Sequence, residues 1–144
     1  MLVERKAVVS AKPSTVWSVF TDMKWEKWDP DVERVEDVVG GLADGTTFTF
    51  VMKKGGQRIA TKLSNVKKDE GFEFKGGFPG GAFEGTFEFK ENESDKSTTD
   101  ITYKFELKGI VGNIMGFFGK KAVVHGTEAG LANVVKLSEE AELK

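Results

Sequence analysis

The chain has no cysteine and a single histidine, His125, among its 144 residues. Without thiols there are no disulfides, no thiolate nucleophile and no cysteine-based zinc site. One imidazole removes most histidine-rich metal sites and makes a conventional catalytic triad hard to build. Tyrosine is equally scarce, with Tyr103 alone. Charge of one sign is lacking as well: 21 Lys and Arg stand against 23 Asp and Glu, a formal net charge of −2. The lysines are dispersed among acidic residues, and phosphate binding needs a basic face, so nucleic acid is not an expected partner. Long apolar runs are missing too. The start, MLVERKAVVSA, has no apolar core of signal-peptide length. The most apolar later stretch, 109–119, is too short to span a bilayer and runs into Lys120 and Lys121. The expectation is a weakly acidic, cytoplasmic protein without stable membrane insertion. Its length suits one domain, residues 1–144, with one hydrophobic core.

What the chain does have is alternation. Val3, Arg5, Ala7 and Val9 form an imperfect first strand. In the middle of the chain Phe48, Phe50 and Met52 share one side of a strand. Ile59, Thr61 and Leu63 share a side of the next, Phe72 and Phe74 of a third, and Phe83, Phe87 and Phe89 of a fourth. Ile101, Tyr103, Phe105 and Leu107 then stand opposite Asp100, Thr102, Lys104 and Glu106. Period-two alternation of this kind predicts an antiparallel sheet with one wet and one apolar face. Turn chemistry separates the strands: GGLADG, KKGG, KKDEG, GGFPGG and ENESDKS. Pro13 suits the first turn of a helix, and Val16, Trp17 and Phe20 recur at helical spacing behind it. The segment from Asp22 to Trp28 allows one further short helical turn. From Val111 to Glu142 the pattern predicts a long C-terminal helix.

The stretch Ser10 to Asp37, SAKPSTVWSVFTDMKWEKWDPDVERVED, carries a strand end, the Pro-led helix, a T-D ending it and a Trp six residues later. With the strands and final helix that follow, the chain resembles the START-like superfamily (SRPBCC), which includes polyketide cyclase/dehydrase-like and pollen-allergen-like members. That resemblance implies an α+β helix-grip fold: a curved antiparallel sheet of about seven strands around a long C-terminal helix, with two short helices after strand 1. It also implies a cavity between sheet and helix where the same inward positions otherwise fill a core. The candidate lining residues are then Phe48, Phe50, Phe74, Phe87, Tyr103, Phe105, Phe118, Ala122 and His125, with Trp28 and Phe78 at the entrance. No cofactor and no metal is expected. The glycine-rich loop of the plant allergens and the iron–sulfur or metal motifs of ring-hydroxylating relatives are not found here.

Each candidate has a plainer reading beside the functional one. His125 shares a helical spacing with Phe118, Ala122, Ala129 and Ala132, and serves either as a ligand contact or acid/base, or as a packing or surface residue. Tyr103 is either the polar handle of a pocket or an aromatic core residue. Phe78, in the GGFPGG loop of Gly76 to Gly81, is a lid or a hairpin residue tucked onto the core. Asp22 ends the first helix and Asp29-Pro30-Asp31 reads as turn chemistry, rather than the three forming paired catalytic carboxylates. Glycines 112, 116, 119, 126 and 130 in one helix cost about 1 kcal/mol each against Ala. They indicate either a helix that flexes or close backbone approach to bulky phenylalanine on the sheet, with some of the glycines before the helix proper. The leading functional expectation is binding or transport of a small hydrophobic molecule, lipid-like or polycyclic. One alternative is a polyketide cyclase/dehydrase-type enzyme using His125 or Tyr103. Another is a protein-interaction module with a filled core, its protein partner unknown.

Overall fold

Alternation of apolar and polar side chains carries the chain into seven strands, and the final change of period carries it into a helix. The computed structural model describes residues 1–109 and 119–144. The order is β1 (Leu2–Val9), α1 (Pro13–Ser18), a single 3-10 turn (Trp25–Lys27), β2 (Val32–Val39), β3 (Thr47–Met52), β4 (Arg58–Lys67), β5 (Gly71–Phe78), β6 (Gly81–Glu91), β7 (Thr99–Lys108) and α2 (Lys120–Glu142). All strands pair antiparallel in one sheet, ordered β1-β7-β6-β5-β4-β3-β2. Neighbours in sequence pair throughout except at β1, which closes on β7. This is the helix-grip architecture, a curved sheet that holds α2.

Local chemistry explains the short elements. Pro13 opens α1 at the position where a missing N–H is harmless, and the helix ends at Ser18, so Phe20 is buried from the turn beyond it. Asp22 Oδ1 accepts the Lys24 N–H at 3.0 Å and bends the chain toward the 3-10 turn. Trp25 and Trp28 follow, each 1 % exposed. Trp25 packs on Phe48 with ring centroids 5.1 Å apart, and Phe20 lies 5.0 Å from both Phe72 and Phe87. One half of the concave face is therefore solid aromatic core.

The outward registers are wet. Arg58 pairs with Glu36 and Asp37 on the sheet exterior, and Arg34 reaches the same Glu36. Arg5 turns the other way and pairs with Glu128 of α2 at 3.1 Å. Glu139 and Glu142 take the backbone N–H groups of Ser10 and Lys12 at 2.9 and 2.8 Å, so the C-terminal end of α2 is tied to the approach to α1.

Of the helix expected from Val111 to Glu142, α2 accounts for the part from Lys120, with Gly119 as its N-cap. Residues 110–118, including Gly112, Gly116 and Phe118, lie outside the described residues. Gly126 and Gly130 lie inside α2. Gly126 marks a close approach and Gly130 an ordinary contact, neither of them to phenylalanine. A β-carbon on Gly126 would stand 2.5 Å from Asp31 Oδ2, and one on Gly130 would stand 3.4 Å from the Trp28 ring and 3.8 Å from Tyr103.

Candidate functional site

Toward the other end of the concave face the packing is incomplete. A cavity of about 200 Å³ lies between the sheet and the first two turns of α2. The sheet contributes Phe50, Ile59, Phe74, Phe83, Tyr103, Phe105 and Leu107, and the helix contributes Ala122, Val123, Gly126 and Thr127. Small helix residues opposite large sheet residues leave the space, since nothing on α2 at these positions is long enough to reach the rings.

The β5–β6 hairpin builds the aromatic wall by a reciprocal pattern. Phe74 faces Gly85, Gly76 faces Phe83 and Phe78 faces Gly81 across the two strands. Each ring lies over the glycine opposite it. A β-carbon on Gly85 would stand 2.0 Å from Phe74, one on Gly76 2.5 Å from Phe83, and one on Gly81 2.8 Å from Phe78. Glycine within a strand commonly marks such a close approach. Pro79 and Gly80 close the hairpin, and Gly80 supplies the φ of +88° that the third position of a type II turn requires.

One end of the cavity is polar. It holds Asp29 and Asp31 from the turn before β2, Lys53 and Lys54 from the turn after β3, and Tyr103 from β7. Asp29 Oδ1 accepts the Asp31 backbone N–H at 2.9 Å, and the Asp31 carbonyl accepts the Lys53 N–H at 3.0 Å. Burial pushes the Asp29 carboxyl up to about 7; the Asp31 charge adds to the rise, while the Asp31 N–H and Lys53 oppose it. Asp31 is exposed as a residue, yet its carboxyl leans on the helix at Gly126. Burial raises it too, against the opposing charges of His125 and Lys53. Tyr103 is 3 % exposed, and burial together with the negative charges of Asp29 and Asp31 holds its phenol well above the usual range. The ring stacks on Phe87 at 4.1 Å and meets Trp28 edge-on at 6.1 Å. Among the described residues its hydroxyl has no hydrogen-bond partner. Such a group stays an O–H donor at any ordinary pH, beside a carboxyl whose two protonation states are both accessible near neutrality.

Of the residues singled out from sequence, Phe50, Phe74, Tyr103, Phe105 and Ala122 line the cavity, and Phe78 lines it from the hairpin tip. Phe48 and Phe87 do not: Phe48 packs against Trp25 in the filled half, and Phe87 sits behind the Tyr103 ring. Trp28 is not at an entrance but inside the core, where Asn133 Nδ2 donates to its carbonyl at 2.9 Å. His125 is exposed and outside the lining. The inward face of α2 runs through Val123, Thr127, Gly130, Leu131, Val134 and Ser138 instead. Phe118 lies outside the described residues. Asp29 and Asp31 form the expected turn, but both also line the cavity, which an Asp-Pro-Asp motif does not reveal. The signal for the aromatic wall was in the sequence: Phe74-x-Gly-x-Phe78 and Gly81-x-Phe-x-Gly85 are complementary about a two-residue turn. Among the described residues no three His, Cys, Asp or Glu side chains gather as a metal site, and no helix is long and apolar enough to cross a membrane.

Residues 2–139 match the family model described as polyketide cyclase / dehydrase and lipid transport. Among curated proteins none matches this chain. Solved structures do. A protein from Thermus thermophilus is 15% identical with a TM-score of 0.74, over 98% of this chain and 99% of its own. A Staphylococcus aureus protein of unknown function is 20% identical with a TM-score of 0.69, over 100% and 96%. Ara h 8.0201 is 12% identical with a TM-score of 0.64, over 94% and 98%. At these identities the likeness is one of fold.

Proposed function

Because the chain belongs to the polyketide cyclase / dehydrase and lipid transport family, we propose that it binds a small hydrophobic molecule, lipid-like or polycyclic, between its sheet and α2. The observation that carries this reading is the cavity of about 200 Å³ with aromatic rings on the sheet side and small side chains on the helix side. An apolar pocket with a few convergent polar groups is the usual form of a small-molecule site. Removal of apolar area from water, at roughly 25 cal/mol per Å² before the costs of association, supplies the affinity. The same cavity argues against a wholly filled core and so against a module that acts only through its outer surface.

Native mass spectrometry of the purified protein, followed by denaturing extraction, tests the reading. A co-purifying apolar molecule, or saturable binding of N-phenyl-1-naphthylamine, is the expected result. A protein that emerges empty and leaves this probe dark overturns it.

A second reading has one specific observation in its favour. Asp29, placed by burial near neutral pH, shares the cavity with the Tyr103 hydroxyl, and a carboxyl and a phenol so disposed suit proton transfer on a bound molecule. In that enzymatic reading the acid/base is Asp29 rather than His125, which stands outside the lining. Turnover unchanged in both Asp29→Asn and Tyr103→Phe rules it out.

A further inference from the structure

The cavity is apolar along its length and polar at one end, and the polar end is asymmetric in what it offers. Tyr103, 3 % exposed, presents a hydroxyl with no partner among the described residues. Asp29 presents a carboxyl whose Oδ1 is engaged by the Asp31 N–H and whose Oδ2 has no partner among those residues. Both groups stand on the wall of the cavity, where they meet whatever fills it. We propose that the bound molecule is apolar except for one carbonyl oxygen, which accepts hydrogen bonds from the Tyr103 hydroxyl and the Asp29 carboxyl. This rests on the reading that the cavity binds a small hydrophobic molecule and adds what that molecule must carry.

The surrounding charges favour an uncharged acceptor such as a carbonyl over a charged group. A ligand carboxylate would be repelled by Asp31, and by Asp29 whenever that group is ionised. A ligand ammonium would leave Tyr103 without an acceptor, and Lys53 from the turn after β3 already faces both Asp29 and Asp31. An uncharged acceptor satisfies both donors and repels neither acid. Burial keeps the acid form of Asp29 populated near neutrality, and burial with the nearby carboxylates keeps Tyr103 protonated throughout. A phenol and a protonated aspartic acid in one site are a known means of holding a carbonyl in apolar surroundings. The groups facing Asp29 are thus Asp31 from its own turn, Lys53 from the turn after β3 and Tyr103 from β7, with His125 acting through Asp31.

The experiment is displacement of N-phenyl-1-naphthylamine from the full chain by 2-acetylnaphthalene and by 2-ethylnaphthalene, which share a shape and differ in the carbonyl, at pH 5.5 and pH 8.5. The expected result is a ketone preference of roughly five- to tenfold at the lower pH, reduced at the higher pH as Asp29 ionises. Tyr103→Phe lowers the preference several-fold, read as the ratio of ketone to hydrocarbon displacement within that variant. Asp29→Asn, whose amide donates at every pH and still accepts the Asp31 N–H, keeps the preference and abolishes its pH dependence; His125→Gln leaves that dependence intact. Circular dichroism checks that each variant is folded. Equal displacement by ketone and hydrocarbon, with the probe bound, overturns the carbonyl assignment while cavity binding stands. A preference that neither Tyr103→Phe nor Asp29→Asn alters overturns it as well. Failure of the probe and both naphthalenes to bind refutes the cavity reading itself, and this one with it.

Discussion

Asp31 Oδ2 rests on the backbone of Gly126, so close that a β-carbon there would lie 2.5 Å away. The contact joins the turn before β2 to the second turn of α2 at the polar end of the cavity. The obstructing atom is the end of a flexible, exposed side chain, which can swing aside at little cost. Gly126→Ala therefore gains helix propensity, up to about 1 kcal/mol, and raises the melting temperature. Gly130→Ala behaves alike, because its new methyl would meet Trp28 at 3.4 Å, an ordinary contact. A fall of more than about 1 kcal/mol in either variant, measured by urea unfolding, would contradict this account of the two glycines.

Gly85→Ala gives the opposite result. Its methyl would coincide with the Phe74 ring, which has to turn into the cavity. The expected loss is about 1–3 kcal/mol, as for other overpacked sites, with weaker N-phenyl-1-naphthylamine binding. The double variant with Phe74→Leu recovers much of both. Retained stability and probe affinity in the single variant would show that the ring is not held as described.

The Asp29 carboxyl makes stability depend on pH in a definite direction. Its folded value, about 7, lies above the ordinary value of 3.8, so between these the native state holds the extra proton. Stability contributed in this way is fully present below about 4 and is lost as pH rises through 7. The effect is on the order of a few kcal/mol. Glu36 and Glu84, held ionised chiefly by hydrogen bonds from Arg58 and Lys108, act in the other direction at acid pH. The decisive quantity is therefore the difference between the wild type and Asp29→Asn in unfolding free energy from about pH 4.5 to 8. The difference is expected to favour the wild type progressively less as pH rises; a constant difference would show that Asp29 titrates normally.

Asn133 ties the aromatic turn to the helix through its bond to the Trp28 carbonyl. Asn133→Ala leaves that part-buried carbonyl unpaired and should cost about 1 to 2 kcal/mol. Hydrogen exchange at residues 28–32 reads the local part of the loss; unchanged protection there would place the coupling elsewhere.

The fold was legible because its cause is periodic. Alternation set the strands, Pro13 set the start of α1, and the change of period set α2 apart from the sheet. The cavity was legible only in part. Phe50, Phe74, Tyr103 and Phe105 follow from strand alternation, but Phe48 and Phe87 obey the same alternation and lie in solid core. Which half of a concave face is filled depends on where α1 and its tryptophans dock, and that is tertiary information. His125 was misplaced for a different reason. On α2 alanine, glycine and threonine occur on both faces, so small neighbours at three- and four-residue spacing do not identify the buried side. Asp29 and Asp31 were obscured by their own local chemistry, since an Asx turn looks the same in sequence whether water or a helix covers it.

The three phenylalanines laid over three glycines on β5 and β6 have a consequence for how such a protein changes its specificity. Gly76, Gly81 and Gly85 fix how far each ring reclines, and therefore how much room a guest finds above it. Selection for a slimmer or bulkier guest has, besides the contact residues, a second set of dials beneath them. A methyl gained at one of these positions reshapes the chamber from behind its wall.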